Sequence, residues 1–258
     1  MDEGPRSDRV DPEQVGLYYD EWTPRYRASF GDTFQAFRPA ETTELHRYIL
    51  ESAGVRDGER ILDAGCGVCG PSIFFASHRE ITIDAVTVSK AQVAVARRLV
   101  TEAGLDDRIT VHLADFHKLH ERFAEATFDR VLFLESLSHA ADPLEPIRSV
   151  FNVLKPGGIV YIKDFFEKPY GDAGKQQRVR EVIARVDRAF VLKTPRLAHT
   201  VSALEQAGFS EQHVGPVGLI NDTAVWANFN RAHEFDLFSG KEPIEWCDWL
   251  ELRFQKPL

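Results

Sequence analysis

The sequence has little cysteine, no excess of positive charge and no long apolar run, and each shortage excludes a class of protein. Its three cysteines, Cys66, Cys69 and Cys247, are too few for a secreted disulfide scaffold. No stretch approaches the roughly 18 uncharged apolar residues that a transmembrane helix needs. The first residues, MDEGPRSDRVDPEQ, have no basic segment followed by an apolar one, as a signal peptide would. We therefore expect a cytoplasmic protein without a membrane partner.

The charge balance limits the partners further. Lysine and arginine total 31 against 40 aspartates and glutamates, which gives a formal net charge of −9. Such a chain does not present a basic surface for nucleic acid. The 258 residues, 43% of them hydrophobic, are enough to bury the core of one large α/β domain.

Strand and helix patterns alternate through the middle of the chain. The segments that are typical of buried strands are ERILDAG, ITIDAVTV, RITVHLAD, FDRVLFLES and IVYIKDFF. The helical segments between them are PSIFFASH, KAQVAVARRLVTEAG, FHKLHERFAE and DPLEPIRSVFNVL. Alternation with short connections predicts a parallel, doubly wound sheet. A final segment, WLELRFQKP, alternates apolar and polar residues and predicts an antiparallel strand at the end of the sheet.

We divide the chain into three parts. Residues 1–14 are expected to form a disordered tail and residues 15–55, which are unusually aromatic, an N-terminal helical lid. Residues 56–258 are expected to form the main domain, with cap insertions at about 167–195 and 218–243.

A glycine-rich loop follows the first core strand and opens the first core helix, with the sequence DAGCGVCG at residues 63–70. Small residues let the backbone approach a ligand, and the helix N-terminus offers free N–H donors. Taken literally, the glycines also match the dinucleotide pattern of an NAD-linked oxidoreductase. Asp63 argues against that interpretation, because its carboxylate is badly placed for a pyrophosphate but suits a cationic amino-acid group.

At this loop the sequence resembles the class I S-adenosylmethionine (SAM)-dependent methyltransferases, whose first motif is D-x-G-C-G-x-G. The resemblance covers about residues 61–165, and four later segments support it in the correct order: VTVS with Gln92, ADF, FDRVLFLES and LKPGG. It implies a Rossmann-like methyltransferase fold. That fold is a doubly wound, mostly parallel seven-stranded sheet, here with the N-terminal lid and an insertion before the last strand. It also implies SAM as cofactor and S-adenosyl-L-homocysteine as product.

The resemblance implies which residues hold this cofactor. They are Asp63, Gly65, Cys66, Gly67, Thr87, Val88, Gln92, Asp115, Phe116 and Glu135. Thr87 stands where the family usually has an acidic residue that binds the ribose. Enzymes similar to cyclopropane synthases have TLSxxQ there instead, which implies that Thr87 and Gln92 bind the ribose as neutral hydrogen-bonding groups. Cys69 stands at the family's third glycine, and we expect it to adopt a negative φ and to narrow the groove slightly.

Glu135 and His139 are the predicted catalytic residues, because they follow the fourth strand, where doubly wound sheets form their ligand crevice. Their segment, ESLSHA, is similar to EATxHA of sterol C-methyltransferases and NEST of terpenoid diphosphate C-methyltransferases. His139 would be the base for an oxygen or nitrogen acceptor, and Glu135 would deprotonate a carbocation. The alternative is that Glu135 only binds backbone groups and His139 only packs beside the cofactor.

The lid supplies most of the predicted substrate contacts, although an ordinary docked helix is the alternative. The predicted substrate residues are Tyr18, Tyr19, Trp22, Gln35 and Trp226. If the acceptor carries a diphosphate, the basic residues near the lid would meet it, namely Arg25, Arg27 and Arg38.

The sequence therefore predicts a SAM-dependent methyltransferase acting on a small molecule of specialised metabolism, with carbon methylation of an isoprenoid-like substrate favoured. Oxygen or nitrogen methylation of a natural product is the alternative within enzymes, and a SAM-binding protein without turnover is the alternative outside them. No metal is expected, because Cys66 and Cys69 lack further ligands nearby. A homodimer built through the N-terminal helices is the default expectation.

Overall fold

The computed structural model describes residues 10–232 and 235–258. Its strands are β1 (Arg60–Ala64), β2 (Thr82–Thr87), β3 (Ile109–Leu113), β4 (Phe128–Leu134), β5 (Leu154–Glu167), β6 (Ser210–Pro216) and β7 (Cys247–Gln255). Its α-helices are α1 (Pro12–Phe30), α2 (Thr42–Ser52), α3 (Gly70–His78), α4 (Lys90–Glu102), α5 (Leu144–Val153), α6 (Ala173–Phe190), α7 (Leu197–Ala207) and α8 (Ala224–Ala232). Short 3-10 helices cover Phe116–Glu121 and Leu137–His139.

The strands form one seven-stranded sheet in the order β3-β2-β1-β4-β5-β7-β6. Strands β1 to β5 are parallel, whereas β7 runs antiparallel to both β5 and β6. The doubly wound, mostly parallel sheet predicted from the sequence is confirmed. The strand order reverses between β1 and β4, so the carboxyl ends of these two strands border the crevice in which such sheets bind ligands.

Buried apolar side chains form three clusters. One cluster lies on the face covered by α2, α3 and α4, and a second lies on the face covered by α5 and α7. A third, largely aromatic cluster joins α1 to α6 and α8, which occupy the two predicted cap segments. This third cluster fixes α1 above the carboxyl ends of the parallel strands.

The start of α1 corrects the predicted tail. The tail was expected to continue to residue 14, but the helix begins at Pro12. Asp11 accepts a hydrogen bond from the Gln14 backbone N–H at 2.9 Å, and a proline in the first turn needs no intrahelical partner. Residues 1–9 lie outside the described residues. No helix in the described part of the chain is long and apolar enough to cross a lipid bilayer.

Candidate active site

One pocket, with about 770 Å³ of free volume, lies at the carboxyl ends of β1 to β4 under α1 and the loop 31–41. All the residues predicted to hold the cofactor line this pocket, and so does His139. Of the predicted substrate residues, Tyr19 and Gln35 line it. Pocket residues that the sequence reasoning did not select are Pro12, Val15, Phe34, Pro71, His117, Leu134 and Ser136.

The glycine loop forms the floor of the pocket in a tightly wound conformation. Gly65 has φ +92°, and a Cβ added there would lie 2.5 Å from the Cβ of Ser136 at the end of β4. Cys69 has φ +68° and ψ +19°, so the expected negative φ is wrong. The loop turns into α3 at this residue, since the Cys69 N–H binds the Cys66 carbonyl and the Cys69 carbonyl binds the Ile73 N–H, both at 2.9 Å. The thiol side chain is completely buried, and the left-handed backbone of this residue costs about 1–2 kcal/mol.

Asp63 provides a negative charge at the inner end of the pocket. Its side chain is buried, and burial raises the pKa of the carboxyl to about 6, although a hydrogen bond from Ser72 opposes this shift. The carboxyl is therefore mostly ionised at neutral pH. Asp63 forms no ion pair with any residue of the described chain. A buried carboxylate of this kind fits the ammonium group of an amino-acid ligand, as the sequence predicted.

Two neutral side chains face the pocket after β2. The Thr87 hydroxyl donates to Gln92 Oε1 at 2.6 Å, which leaves the amide N–H groups of Gln92 to face a ligand oxygen. Asp84, the nearest alternative carboxylate, lies in the middle of β2, where Arg60 binds one of its oxygens and His112 the other. Thr87 and Gln92 are thus the polar groups that this strand end offers to a ribose.

Asp115 follows β3 on the opposite wall. Burial alone would raise the pKa of its carboxyl, but hydrogen bonds from the backbone and ring of His117 lower it. Phe116 packs beside it, edge-on to Phe133 with ring centroids 5.5 Å apart. A carboxylate next to an aromatic face is the arrangement that the resemblance implied for the adenine ring.

Glu135 lies in the pocket wall, but its carboxylate is already bonded. One oxygen accepts from the Ala36 backbone N–H at 2.6 Å, and the other accepts from Lys163 Nζ at 2.5 Å. Lys163, on β5, is completely buried and also donates to Gln35 Oε1 and to the Phe37 carbonyl. Sequence reasoning missed Lys163, although a lysine inside the apolar strand IVYIKDFF was a visible signal. The bonds to the backbone N–H groups of Ala36 and Phe37 agree with the alternative in which Glu135 only binds backbone groups.

His139 has a defined tautomer. Its Nδ1 lies 2.9 Å from the Val191 carbonyl, which can only accept, so Nδ1 carries the hydrogen. Its Nε2 lies 2.9 Å from the Tyr19 hydroxyl, which then donates to the nitrogen lone pair. Burial lowers the pKa of the imidazole to about 4, against a small opposing effect of the Val191 hydrogen bond. At neutral pH the ring is therefore uncharged, with its basic nitrogen at the pocket.

The remaining predicted substrate residues lie elsewhere. Tyr18, Trp22 and Trp226 belong to the aromatic cluster that fixes α1 and are not among the residues that line the pocket. They were selected for their aromatic character, but in a helix only one face can meet the ligand, and the face that includes Tyr19 does so.

The predicted diphosphate residues do not line the pocket either. Arg25 stacks over the Trp22 ring, and Arg27 forms an ion pair with Asp32 at 2.8 Å. Arg38 is buried and donates to backbone carbonyls of its own loop and of α1. None of the three guanidinium groups faces the pocket, so the structure gives no support to a diphosphate site.

Helix α1 is attached to the main domain beside the pocket. The Asp20 carboxylate accepts from the Ser89 hydroxyl at 2.6 Å and from the Ala91 backbone N–H at 2.9 Å, and so caps α4. Gly16 allows close contact, because a Cβ there would lie 2.7 Å from the Val88 carbonyl oxygen. Helix α1 therefore packs over the pocket, with Pro12, Val15 and Tyr19 among the residues that line it.

The fold and this pocket define a Rossmann-like methyltransferase architecture, and comparisons with known proteins identify the family. A family model described as a methyltransferase domain matches residues 55–207. The chain belongs to this methyltransferase domain family.

Two curated relatives illustrate its range. The 27-O-demethylrifamycin SV methyltransferase of Amycolatopsis mediterranei is 32% identical over 66% of this chain and 66% of its own length. The 24-methylenesterol C-methyltransferase 2 of Oryza sativa is 30% identical over 77% of this chain and 56% of its own. The chain thus spans between about half and two thirds of the length of the curated relatives that it matches.

A solved structure shares the complete fold. The cyclase SpnF superposes with a TM-score of 0.79 and 22% identity, over 96% of both chains. At this identity the similarity concerns the fold alone, and the name of that protein shows that the fold does not fix the reaction.

Proposed function

We propose that the protein is a SAM-dependent methyltransferase acting on a small molecule of specialised metabolism. The observation that carries the proposal is the convergence of the predicted cofactor residues on one pocket that contains Asp63, a buried carboxylate without an ion-pair partner in the described chain. Asp63 would hold the ammonium group, Thr87 and Gln92 the ribose, and Asp115 with Phe116 the adenine. When bound, SAM supplies a methyl group on a sulfonium, an electrophile that needs an aligned nucleophile and little else.

The pocket best supports a hydroxyl group as the methyl acceptor. His139 presents a neutral, buried Nε2 whose lone pair already accepts from a phenol hydroxyl, that of Tyr19. A substrate hydroxyl that replaces this phenol would give its proton to Nε2 as its oxygen bonds to the methyl carbon. The bond from that carbon to sulfur would break, and S-adenosyl-L-homocysteine would leave. The Val191 carbonyl holds the Nδ1–H side of the ring and stabilises the imidazolium that results. The O-demethyl compound in the name of the rifamycin relative is consistent with such an acceptor.

Carbon methylation of an isoprenoid-like substrate, which the sequence favoured, is the second candidate. A specific observation supports it, because Glu135 lines the pocket with the rings of Tyr19 and Phe34, and aromatic faces stabilise carbocations. The name of the sterol relative agrees. In this reaction Glu135 would accept a proton from the substrate, and replacing it by Gln would lower turnover more than about tenfold.

Methyl transfer from labelled SAM to a panel of alcohols, phenols and isoprenoids tests both candidates. We expect label in product and release of S-adenosyl-L-homocysteine with hydroxyl acceptors. His139→Asn keeps a donor for the Val191 carbonyl but has no basic nitrogen, and should lower turnover about 100-fold, within the range of general base catalysis. Product labelled only on carbon would favour the second candidate. Binding of SAM without any transfer would leave the protein in the class of non-catalytic SAM-binding proteins.

A further inference from the structure

Gln35 contains a buried hydrogen-bond donor with no partner. The residue lies on the loop 31–41, only 2% of its surface is exposed, and its side chain lines the pocket together with Glu135 and His139. Its Nε2 has no hydrogen-bond partner in residues 10–232 and 235–258. Buried polar groups in folded proteins are almost always paired, so an unpaired donor at the wall of a pocket indicates a ligand atom.

The orientation of the Gln35 amide is fixed by its neighbour. Oε1 lies 3.1 Å from Nζ of Lys163, which can only donate, so the amide presents its oxygen to the lysine and its NH₂ group away from it. Lys163 also donates to the Phe37 carbonyl at 3.0 Å and to Glu135 at 2.5 Å, so its three N–H groups are all used. Lys163 thus orients the Gln35 amide so that its unpaired NH₂ group points away from the lysine.

The charge of the pocket narrows the class of ligand. The described residues that line the pocket include no lysine or arginine, but they include Asp63, Asp115 and Glu135. A phosphate or diphosphate group would find no unpaired cation there, because the ammonium group of Lys163, behind the pocket wall, is already bonded to Glu135, Gln35 and the Phe37 carbonyl. The part of the pocket near Gln35 therefore suits an uncharged molecule.

We propose that Gln35 Nε2 donates a hydrogen bond to an oxygen of the methyl acceptor, and that this acceptor is an uncharged, oxygen-bearing small molecule. The proposal rests on the proposed function, in which the reacting hydroxyl faces His139. A second oxygen of the substrate, a carbonyl or an ether, faces Gln35. An analogue without that oxygen leaves the buried amide unpaired, and sites of this kind reject such analogues strongly.

Matched probe pairs test the proposal on the full-length protein saturated with S-adenosyl-L-homocysteine. Acetoin and sec-butanol differ only by a carbonyl in place of a methylene, as do ortho-hydroxyacetophenone and ortho-ethylphenol. Ligand-observed NMR titrations should show that the wild type binds each carbonyl compound at least about fivefold more tightly than its partner, as one hydrogen bond implies. Geranyl diphosphate serves as the anionic probe and should bind more weakly than the carbonyl compounds.

Two variants separate recognition from loop structure. Gln35→Glu keeps an oxygen for Lys163 but replaces the donor by an acceptor, so the preference for the carbonyl should disappear. Gln35→Met has neither donor nor charge and should show the same loss if the added carboxylate disturbs folding. Gln206→Glu, on the exposed side of α7, is the matched control and should keep the wild-type preference.

The outcomes distinguish this proposal from the proposed function. Failure of the wild type to bind S-adenosyl-L-homocysteine would contradict the methyltransferase function itself. If the wild type binds S-adenosyl-L-homocysteine but has the same affinity for both members of each probe pair, only the role of Gln35 is overturned. The same conclusion would follow from a preference that persists in both Gln35 variants. Tighter binding of geranyl diphosphate than of the carbonyl compounds would overturn the proposal that the acceptor is uncharged.

Discussion

Nζ of Lys163 lies 2.5 Å from Oε1 of Glu135, and this buried ion pair joins the sheet to the loop above the pocket. Lys163 belongs to β5 and Glu135 follows β4. Glu135 also accepts from the backbone N–H groups of residues 36 and 37, and Lys163 donates to the Phe37 carbonyl. Glu135 has φ +57°, a backbone conformation that non-glycine residues rarely adopt and that is common at functional sites. The pair therefore positions the loop that carries Gln35.

Removing one charge of this pair should be costly. Glu135→Gln leaves the Lys163 ammonium buried without a counter-ion, and we expect the free energy of unfolding to fall by about 3–5 kcal/mol. Urea denaturation at neutral pH measures the loss. The double variant with Lys163→Met removes both charges and should be more stable than Glu135→Gln alone. Losses that simply add in the double variant would show that the two side chains are not coupled.

Asp20 should control how stably α1 packs against α4. Asp20→Ala removes the cap that α1 places on α4, so α1 should dock less stably by about 1–2 kcal/mol. Hydrogen exchange of the α1 amides should become about tenfold faster, while β1 and β4 exchange as before. Glu21→Ala, at an exposed position of the same helix, is the control and should change neither. Unchanged exchange in α1 of the Asp20 variant would mean that the aromatic cluster alone holds the lid.

The pKa of His139 predicts an unusual pH profile for methyl transfer. A base must be unprotonated to act, and burial lowers the pKa of this imidazole to about 4. With saturating SAM, whose ammonium group would keep Asp63 ionised, the rate should therefore stay level as the pH falls from 8 to about 5.5 and decline only as the pH approaches the pKa of His139. Single-turnover rates across this range test the expectation. A decline centred near 6.5, the ordinary value for histidine, would contradict the buried neutral state.

A second buried imidazole links stability to pH. His46 packs against Phe74, and its Nε2 lies 3.0 Å from the Thr33 hydroxyl in the loop below the lid. Burial and the nearby Arg38 charge lower the pKa of His46 to about 4. Between about pH 6.5 and pH 4, His46 is therefore protonated in the unfolded chain but neutral in the folded chain. This site should therefore cost about 2 kcal/mol of stability between pH 7 and pH 5.

Comparison with His46→Asn isolates this contribution from other groups, such as Asp63 and Asp164, whose pKa values are raised by burial. Urea denaturation of both proteins at the two pH values gives the difference. The stability advantage of the wild type over the variant should shrink by about 2 kcal/mol at pH 5. An advantage that is the same at both pH values would mean that His46 titrates normally in the folded protein.

The sequence placed the predicted cofactor residues in one pocket, because these residues follow strands in fixed sequence motifs. Asp63, Thr87 and Asp115 each stand at the carboxyl end of a parallel strand, and the topology alone brings those ends together. The strand β6 was missed, since an exposed edge strand with the sequence SEQHVGP has no apolar alternation to reveal it.

The surroundings of His139 and Gln35 depended on long-range contacts that no local pattern contains. Tyr19 meets His139 across 120 positions of sequence, and Lys163 meets Gln35 across 128. Helical spacing did not decide which aromatic residues of α1 face the pocket, because the helix is apolar on more than one side and packs against α8 as well. The left-handed Cys69 was also unforeseen, since the loop's path into α3, not residue preference, sets its backbone.

The central claim is that the pocket receives a cationic amino-acid nucleoside through Asp63, and calorimetric titration with S-adenosyl-L-homocysteine tests it most directly. We expect one molecule bound per chain, no heat with NAD, and binding at least about 100-fold weaker in Asp63→Asn, which loses a buried charged hydrogen bond of roughly 3 kcal/mol. Heat with NAD but none with S-adenosyl-L-homocysteine would contradict the claim, and equal affinity in Asp63→Asn would remove Asp63 from it.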